Sequence, residues 1–181
     1  MLKLHVGCGG VNIPGYINID IQNGPAVEII ADARDLPFEH CSANTIYSCC
    51  VLEHFSRHEW ISVLAHWFDI LEPDGILRLS VPDFKACCEE YWNSHNINLL
   101  FGLIVGGQKD EYDRHGVIFD FEYLSKKLSG VGFTDICRYD WREVEPGSLG
   151  IDDYSQAYIP HMDKSFGRQM CLNIQAVKPR S

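Results

Sequence analysis

A glycine turn followed by two well-spaced acids is the first place in this sequence where chemistry can be read. The apolar run Leu2 to Val6 breaks off into Gly7-Cys8-Gly9-Gly10, where backbone can pass close to a ligand because few side chains intervene. A plain tight turn would use the same residues, so the segment after the glycines decides between ligands. Dinucleotide sites set a pyrophosphate on the N-terminus of a helix that begins at such glycines. Here the chain continues as Val11-Asn12-Ile13-Pro14-Gly15 and the next β-rich run starts at Tyr16, which leaves no length for an amphipathic helix. The phosphate-binding device is missing, and this counts against NAD and ATP. The next two runs, Tyr16 to Ile21 and Val27 to Ala31, carry Asp20 and lead into Asp32. In a parallel sheet the carboxyl ends of the strands face one crevice. Asp20 there can accept both ribose hydroxyls, and Asp32 with the Ala33 amide can read an adenine edge. Either acid alone serves equally well as a turn or cap residue. Together with the glycines they favour a nucleoside site, and an acidic pocket suits a cationic ligand without phosphates, such as a sulfonium.

These residues need a parallel sheet behind them, and the pattern supplies one. Short β-rich runs alternate with helical patterns, the signature of an α/β sheet. A fourth run, Thr45 to Val51, leads into Glu53-His54, and a fifth, Ile76 to Val81, leads into Pro82-Asp83. Between them Ser56 and Glu59 form an S-x-x-E capping box, with Phe55 and Trp60 placed as a hydrophobic staple. Trp60, Leu64, Trp67, Phe68 and Leu71 then recur at helical spacing, which reads as core packing. A helix after Asp83 runs through Trp92, an apolar stretch spans Ile97 to Val105, and Phe121 to Leu128 reads as a helix capped by Asp120 and stopped by Gly130. Phe133 to Tyr139 and Met170 to Val177 supply the last strands. The link between the first two strands is short but sufficient. A five-residue strand is roughly 17 Å long, and eight extended residues span at most about 28 Å.

Composition sets the outer limits. The 181 residues, 46% hydrophobic and 22% charged with a net charge of −10, describe one globular domain. An acidic surface disfavours nucleic acid and anionic membrane as partners. No apolar run approaches the ~20 residues of a membrane helix and no signal-peptide stretch opens the chain, so a cytoplasmic location is expected. The eight cysteines include no C-x-x-C and mostly lie in apolar runs, which fits reduced thiols. No H-x-x-x-H spacing appears either, so no metal site is expected from spacing, although dispersed acids could still gather a magnesium ion.

The ordered set LHVGCGG, GYINIDI, ADARDLPF, IYSCCVLEHF and LEPDGILRLSVPDF resembles the class I S-adenosylmethionine-dependent methyltransferases. It is most similar to a group of small methyltransferases associated with polysaccharide or glycan biosynthesis, and the later HGVIFDFEYLSKKLSGVGF and DDYSQAYIPH look like that group in particular. The resemblance implies an α/β, Rossmann-like fold: a seven-stranded, mostly parallel sheet with an antiparallel last strand. It implies one domain over 1–181, with substrate-side insertions at about 84–120 and 140–168. S-adenosyl-L-methionine would be the cofactor. Gly7, Cys8 and Gly9 would border its methionine moiety, Asp20 and Ile21 the ribose, and Asp32 and Ala33 the adenine. Ser48 and Cys49 would lie beneath the sulfonium or the amino-acid end. The shortened link after the glycines departs from the family and leaves the methionine carboxylate fewer backbone donors.

Methyl transfer is an in-line displacement that needs an aligned acceptor, and a hydroxyl acceptor also needs its proton removed. Glu53, His54, Asp83, His115 and His161 are the candidate bases. Each has an ordinary alternative as a helix cap or a solvated histidine. For Glu53, holding the cofactor's amino group or capping a helix is favoured over acting as a base, and His54 serves equally well as a packed core histidine. Tyr154 and Tyr158 could stack on a sugar ring. The expected partner is a small acceptor, with a sugar hydroxyl favoured and a nitrogen or carboxylate acceptor or a non-catalytic cofactor-binding domain as rivals. Aromatics between Asp152 and His161 could instead form a homodimer contact.

Overall fold

The computed structural model describes residues 1–180. Strands β1 (Leu2–Val6), β2 (Ile17–Asp20), β3 (Ile29–Ile30), β4 (Ala43–Cys49) and β5 (Leu71–Pro82) are parallel. Helix α1 (Trp60–Ile70) lies between β4 and β5, and α2 (Phe84–Ser94), α3 (Phe101–Val105) and α4 (Phe121–Val131) lie between β5 and β6 (Thr134–Arg138). A small hairpin, β7 (Tyr158–Ile159) with β8 (Arg168–Gln169), precedes β9 (Cys171–Val177). The main sheet has the order β3-β2-β1-β4-β5-β9-β6, and β9 runs antiparallel to both neighbours. The expected seven-stranded sheet with an antiparallel last strand is therefore present.

Strand alternation separates two faces. Leu4, Val6, Ile46, Leu79, Leu172 and Ile174 point to one side and pack on Trp60, Leu64 and Trp67 of α1 and Leu124 and Leu128 of α4. Trp60 and Trp67 are fully buried, as their helical spacing suggests, and Trp67 Nε1 donates to the Ala33 carbonyl at 2.8 Å. The other face carries His5, Tyr47 and Cys49, and no helix covers it at the β1–β2 link. The loop from Gly7 to Tyr16 is irregular throughout. Its Ile13 and Tyr16 instead plug that face, packed against Tyr47 and Cys49. The 140–168 segment completes the cover. Glu145 accepts from Tyr16 Oη at 2.9 Å and Lys3 Nζ at 2.8 Å, Tyr47 donates its hydroxyl to Asp153, and Asn173 donates to the Ser155 carbonyl at 3.0 Å.

Several boundaries move for local reasons. The third strand shrinks from Val27–Ala31 to two residues at the sheet edge. The fifth extends back to Leu71, because that end already pairs with Ala43. Helix α4 runs through Gly130 and ends at Gly132, whose φ of +124° terminates it; Asp120 does cap it, accepting from Tyr123 N at 2.7 Å. The Ser56 box is half made: its amide donates to Glu59 at 3.3 Å, while Glu59 N bonds the Ser56 carbonyl rather than the hydroxyl. Strand β6 carries a bulge, since its register against β9 slips between Thr134 and Cys137, with Asp135 at φ +49°.

Because Ile13 is wholly buried and anchors the plug, Ile13→Ala should lower unfolding free energy by about 2–5 kcal/mol. Urea denaturation read by tryptophan fluorescence checks this; a loss below about 1 kcal/mol would mean the plug carries little of the second face.

Candidate functional site

The carboxyl ends of β1, β2 and β4 open onto a cleft with two lobes that meet at Gly7, Cys50 and His54. Gly7 has φ +74°, and a Cβ there would fall 2.1 Å from Val51 Cγ2. The turn after β1 thus lies directly against the end of β4, with the Gly7 and Cys8 amides both bonded to the Ile19 carbonyl. Only glycine fits at that contact.

The smaller lobe, about 320 Å³, is lined by Asp20, Ile21, Asp32 and Ala33, with Glu111 and Tyr112 among its other lining residues. The four residues expected around the ribose and adenine therefore share one wall. Asp20 accepts from the Gly9 amide at 2.8 Å and from Gln22 N at 2.9 Å, so it braces the glycine turn as well as facing the lobe. Asp32 is gripped by Arg34 through Nε at 3.0 Å and Nη2 at 2.6 Å, and these bonds hold its pKa below the usual carboxylate range. Arg34 reaches Glu59 as well, at 3.6 Å.

The larger lobe, about 510 Å³, runs from Gly7-Cys8-Gly9 and Cys49 to a wall containing Asp153, Tyr154, Tyr158 and His161. Burial raises the Cys8 pKa to about 11 and that of Cys49 likewise upward. Both thiols stay protonated at neutral pH and present no thiolate nucleophile to the lobe. Tyr158 is buried, its hydroxyl accepting from Trp141 Nε1 at 3.3 Å, whereas Tyr154 is exposed and free to contact a ligand. His161 is exposed on the same wall.

At the floor of this lobe lie Glu53, His54 and His115, each with a donor atom within 4.8 Å of the others. Glu53 belongs to the 3₁₀ turn Leu52–His54 directly after β4, and His115 arrives on the loop after α3. The Gly116 amide donates to the Glu53 carbonyl at 2.7 Å. A Cβ on Gly116 would sit 2.4 Å from the Phe55 carbonyl oxygen, so this glycine permits the contact that brings His115 in. Glu53 is 1% exposed, and neither carboxylate oxygen has a hydrogen-bond partner. Desolvation pushes its pKa up to about 8, opposed only in part by its own amide and the Cys50 thiol. His115 is half-buried, and burial first, then the neighbouring His54, lowers its pKa. It is a neutral imidazole at pH 7, able to accept a proton.

Two expected site residues are not brought here. Ser48 is buried and lines neither lobe, because alternation along β4 turns it with Ile46 to the helix-covered face and Cys49 to the cleft. Asp83 caps α2, accepting from Lys85 N at 3.0 Å, and pairs with Arg138 at 3.3 Å. Both roles take it out of the cleft. Glu53 opens to the larger lobe rather than the nucleoside lobe. Sequence reasoning assigned no site role to Cys50 or Gly116 and left His54 between a base and a packed histidine; the adjacency of Gly116 to His115 was the available signal.

A family model described as a methyltransferase domain matches residues 4–79, from β1 into β5. No curated protein matches the chain. Among solved structures, an S-adenosylmethionine-dependent methyltransferase of Methanosarcina mazei aligns with a TM-score of 0.60 at 14% identity, over 99% of this chain and 92% of that one. One from Archaeoglobus fulgidus gives 0.58 at 13%, over 97% and 85%. The CurJ carbon methyltransferase gives 0.59 at 19%, over 99% of this chain but only 49% of its own. The likeness to these structures is one of fold, that of class I methyltransferases. The matched methyltransferase domain covers residues 4–79, from the glycine turn through the nucleoside lobe to β5.

The buried Glu53 makes a prediction about pH. A carboxyl whose folded pKa lies above its unfolded value stabilises the fold by holding a proton, fully below about pH 4.5. That contribution is lost as pH rises through about 8. In chelator-treated buffer, Glu53→Gln should therefore be nearly neutral at pH 5 and more stable than wild type at pH 8.5, by several degrees in Tm. Parallel Tm curves across that range would mean that Glu53 is solvated or paired.

Proposed function

We propose that the chain transfers the methyl group of S-adenosylmethionine to a hydroxyl of a small acceptor, of which a sugar or glycan precursor is the favoured class. One observation carries this reading. An acidic nucleoside lobe without a phosphate-binding helix joins, at a glycine turn, a second lobe floored by a neutral imidazole and an unpartnered carboxyl.

The residues fit the cofactor. Asp20 offers oxygens to a ribose diol, and Ile21 and Ala33 give apolar contact in the nucleoside lobe. Reading an adenine amino group with Asp32 requires Arg34 to release or share that carboxylate. Gly7, Cys8 and Gly9 border the methionine end without crowding it, and Cys49 supports the boundary between lobes. When bound, S-adenosylmethionine supplies an electrophilic methyl group on a cationic sulfur. The chain's own part is alignment and proton handling. Exposed Tyr154 offers a face to a sugar ring, and His115 or His161 takes the acceptor's proton. Glu53, held neutral by its surroundings, can donate a hydrogen bond to the acceptor oxygen. The 84–120 and 140–168 segments are the acceptor-binding parts in this scheme. The fold includes no helix long and apolar enough to cross a membrane among the described residues, and we place the reaction in the cytoplasm.

Calorimetry with S-adenosylmethionine and S-adenosylhomocysteine tests the first half. Both should bind, and Asp20→Ala should weaken them about tenfold or more, the loss of a charge-assisted hydrogen bond being about 1.5–3 kcal/mol. No heat from either at millimolar concentration would remove the cofactor assignment. A panel of sugar acceptors tests the second half: His115→Ala or His161→Ala should cost about 100-fold or more in turnover. Full turnover in both variants would point to an acceptor that needs no base, such as an amine.

A further inference from the structure

We infer that Glu53, His54 and His115 form a binding site for a divalent transition-metal cation, with zinc(II) the best match to the donors. The three donor atoms lie within 4.8 Å of one another and all three residues line the larger lobe. Four features of these residues point to a cation rather than to chance proximity.

The first is Glu53 itself. A carboxyl at 1% exposure with both oxygens unpartnered is a costly thing to keep in a fold, and an ion at this point would supply the missing partner. The second is the tautomer of both rings. His54 Nδ1 lies 3.2 Å from the Arg114 carbonyl and His115 Nδ1 lies 3.1 Å from the Leu103 carbonyl. A carbonyl only accepts, so each Nδ1 is the donor in its contact, which leaves Nε2 as the nitrogen placed to meet a metal. Ligating histidines are oriented by this kind of backbone contact to the ring nitrogen that does not bind metal. The third is the mutual arrangement: the rings meet edge to face with centroids 4.9 Å apart, without the stacking that would occlude both lone pairs. Two imidazoles and one carboxylate form a donor set used by catalytic zinc. The fourth is access. The cluster faces an open lobe of about 510 Å³, so coordination positions remain for water or an acceptor oxygen, as in catalytic rather than structural sites.

A tetrahedral ion with bonds near 2.1 Å needs donors roughly 3.4 Å apart, so small side-chain rotations would close the set. The site stands on these three residues alone. Its use rests on the methyl-transfer reading: a cation here would orient an acceptor hydroxyl and lower its pKa, and His161, rather than the ligating His115, would take the proton.

Titration of chelator-stripped full-length protein with cobalt(II), followed by visible absorption and then displaced by zinc(II), tests the inference. We expect one equivalent to bind at about 1 μM or tighter, with the intense visible bands of a low-coordinate cobalt site. Glu53→Gln and, separately, His115→Ala should each weaken it about tenfold or more, while circular dichroism stays unchanged. Binding weaker than millimolar in the wild type, or equal affinity in both variants, would overturn it. So would a strong thiolate-to-metal band in the near ultraviolet, which would move the ion to Cys49 and Cys50 nearby. S-adenosylhomocysteine calorimetry on the same preparation separates the two readings. Cofactor binding without cobalt binding sinks only the cation site, and the reverse sinks only the methyltransferase.

Discussion

A parallel sheet must be covered on both faces, and this chain builds a full helical layer over only one. Much of the rest stems from that shortage. Helices α1 and α4 serve the face of Leu4, Ile46 and Leu79. The opposite face carries His5 and Tyr47, with Ile13 and Tyr16 inserted from the loop, and irregular chain closes it. Irregular chain brings its own unpaired polar groups, so the cover is tied down by side chains: Tyr47 to Asp153, Tyr16 and Lys3 to Glu145, Asn173 to the Ser155 carbonyl. The segment that does this also forms the Asp153 to His161 wall of the cleft. Cover and pocket are therefore one piece of chain, and the length of the β1–β2 link shapes the acceptor lobe at a distance.

The second organising contact is the seam between the loop before α4 and the turn after β4. The Gly116 amide on the Glu53 carbonyl fixes two segments far apart in sequence at the floor of the larger lobe. It also shields Glu53 from water. The carboxyl's raised pKa is thus a consequence of topology rather than of any charged neighbour, since desolvation is its leading cause.

Much of this was legible in the sequence. The β-rich runs, the buried tryptophans and the placement of Asp20, Ile21, Asp32 and Ala33 on one wall all derive from periodicity and from the rule that ligands bind at the carboxyl ends of parallel strands. What failed did so for identifiable reasons. Ser48 was placed beside Cys49 although a strand turns adjacent residues to opposite faces. Asp83 could be a cap or a base, and the partner that decided it, Arg138, lies in β6 far along the chain. The Glu53–His54–His115 cluster escaped any search for ligand spacing, because two members are adjacent and the third arrives only through tertiary contact.

The two rims of the sheet have a bearing on how copies of this molecule meet. One rim is β3, only two residues long, and the other is β6, bent by its bulge and by Asp135 in a left-handed conformation. Short or bulged edge strands offer poor templates for another chain's backbone. The fold is thus guarded against end-to-end strand addition at both sides, a protection that matters for a chain with several exposed aromatics such as Trp92 and Phe166. Contact between copies is steered toward side chains, where it can be reversible, and away from the backbone, where it would propagate.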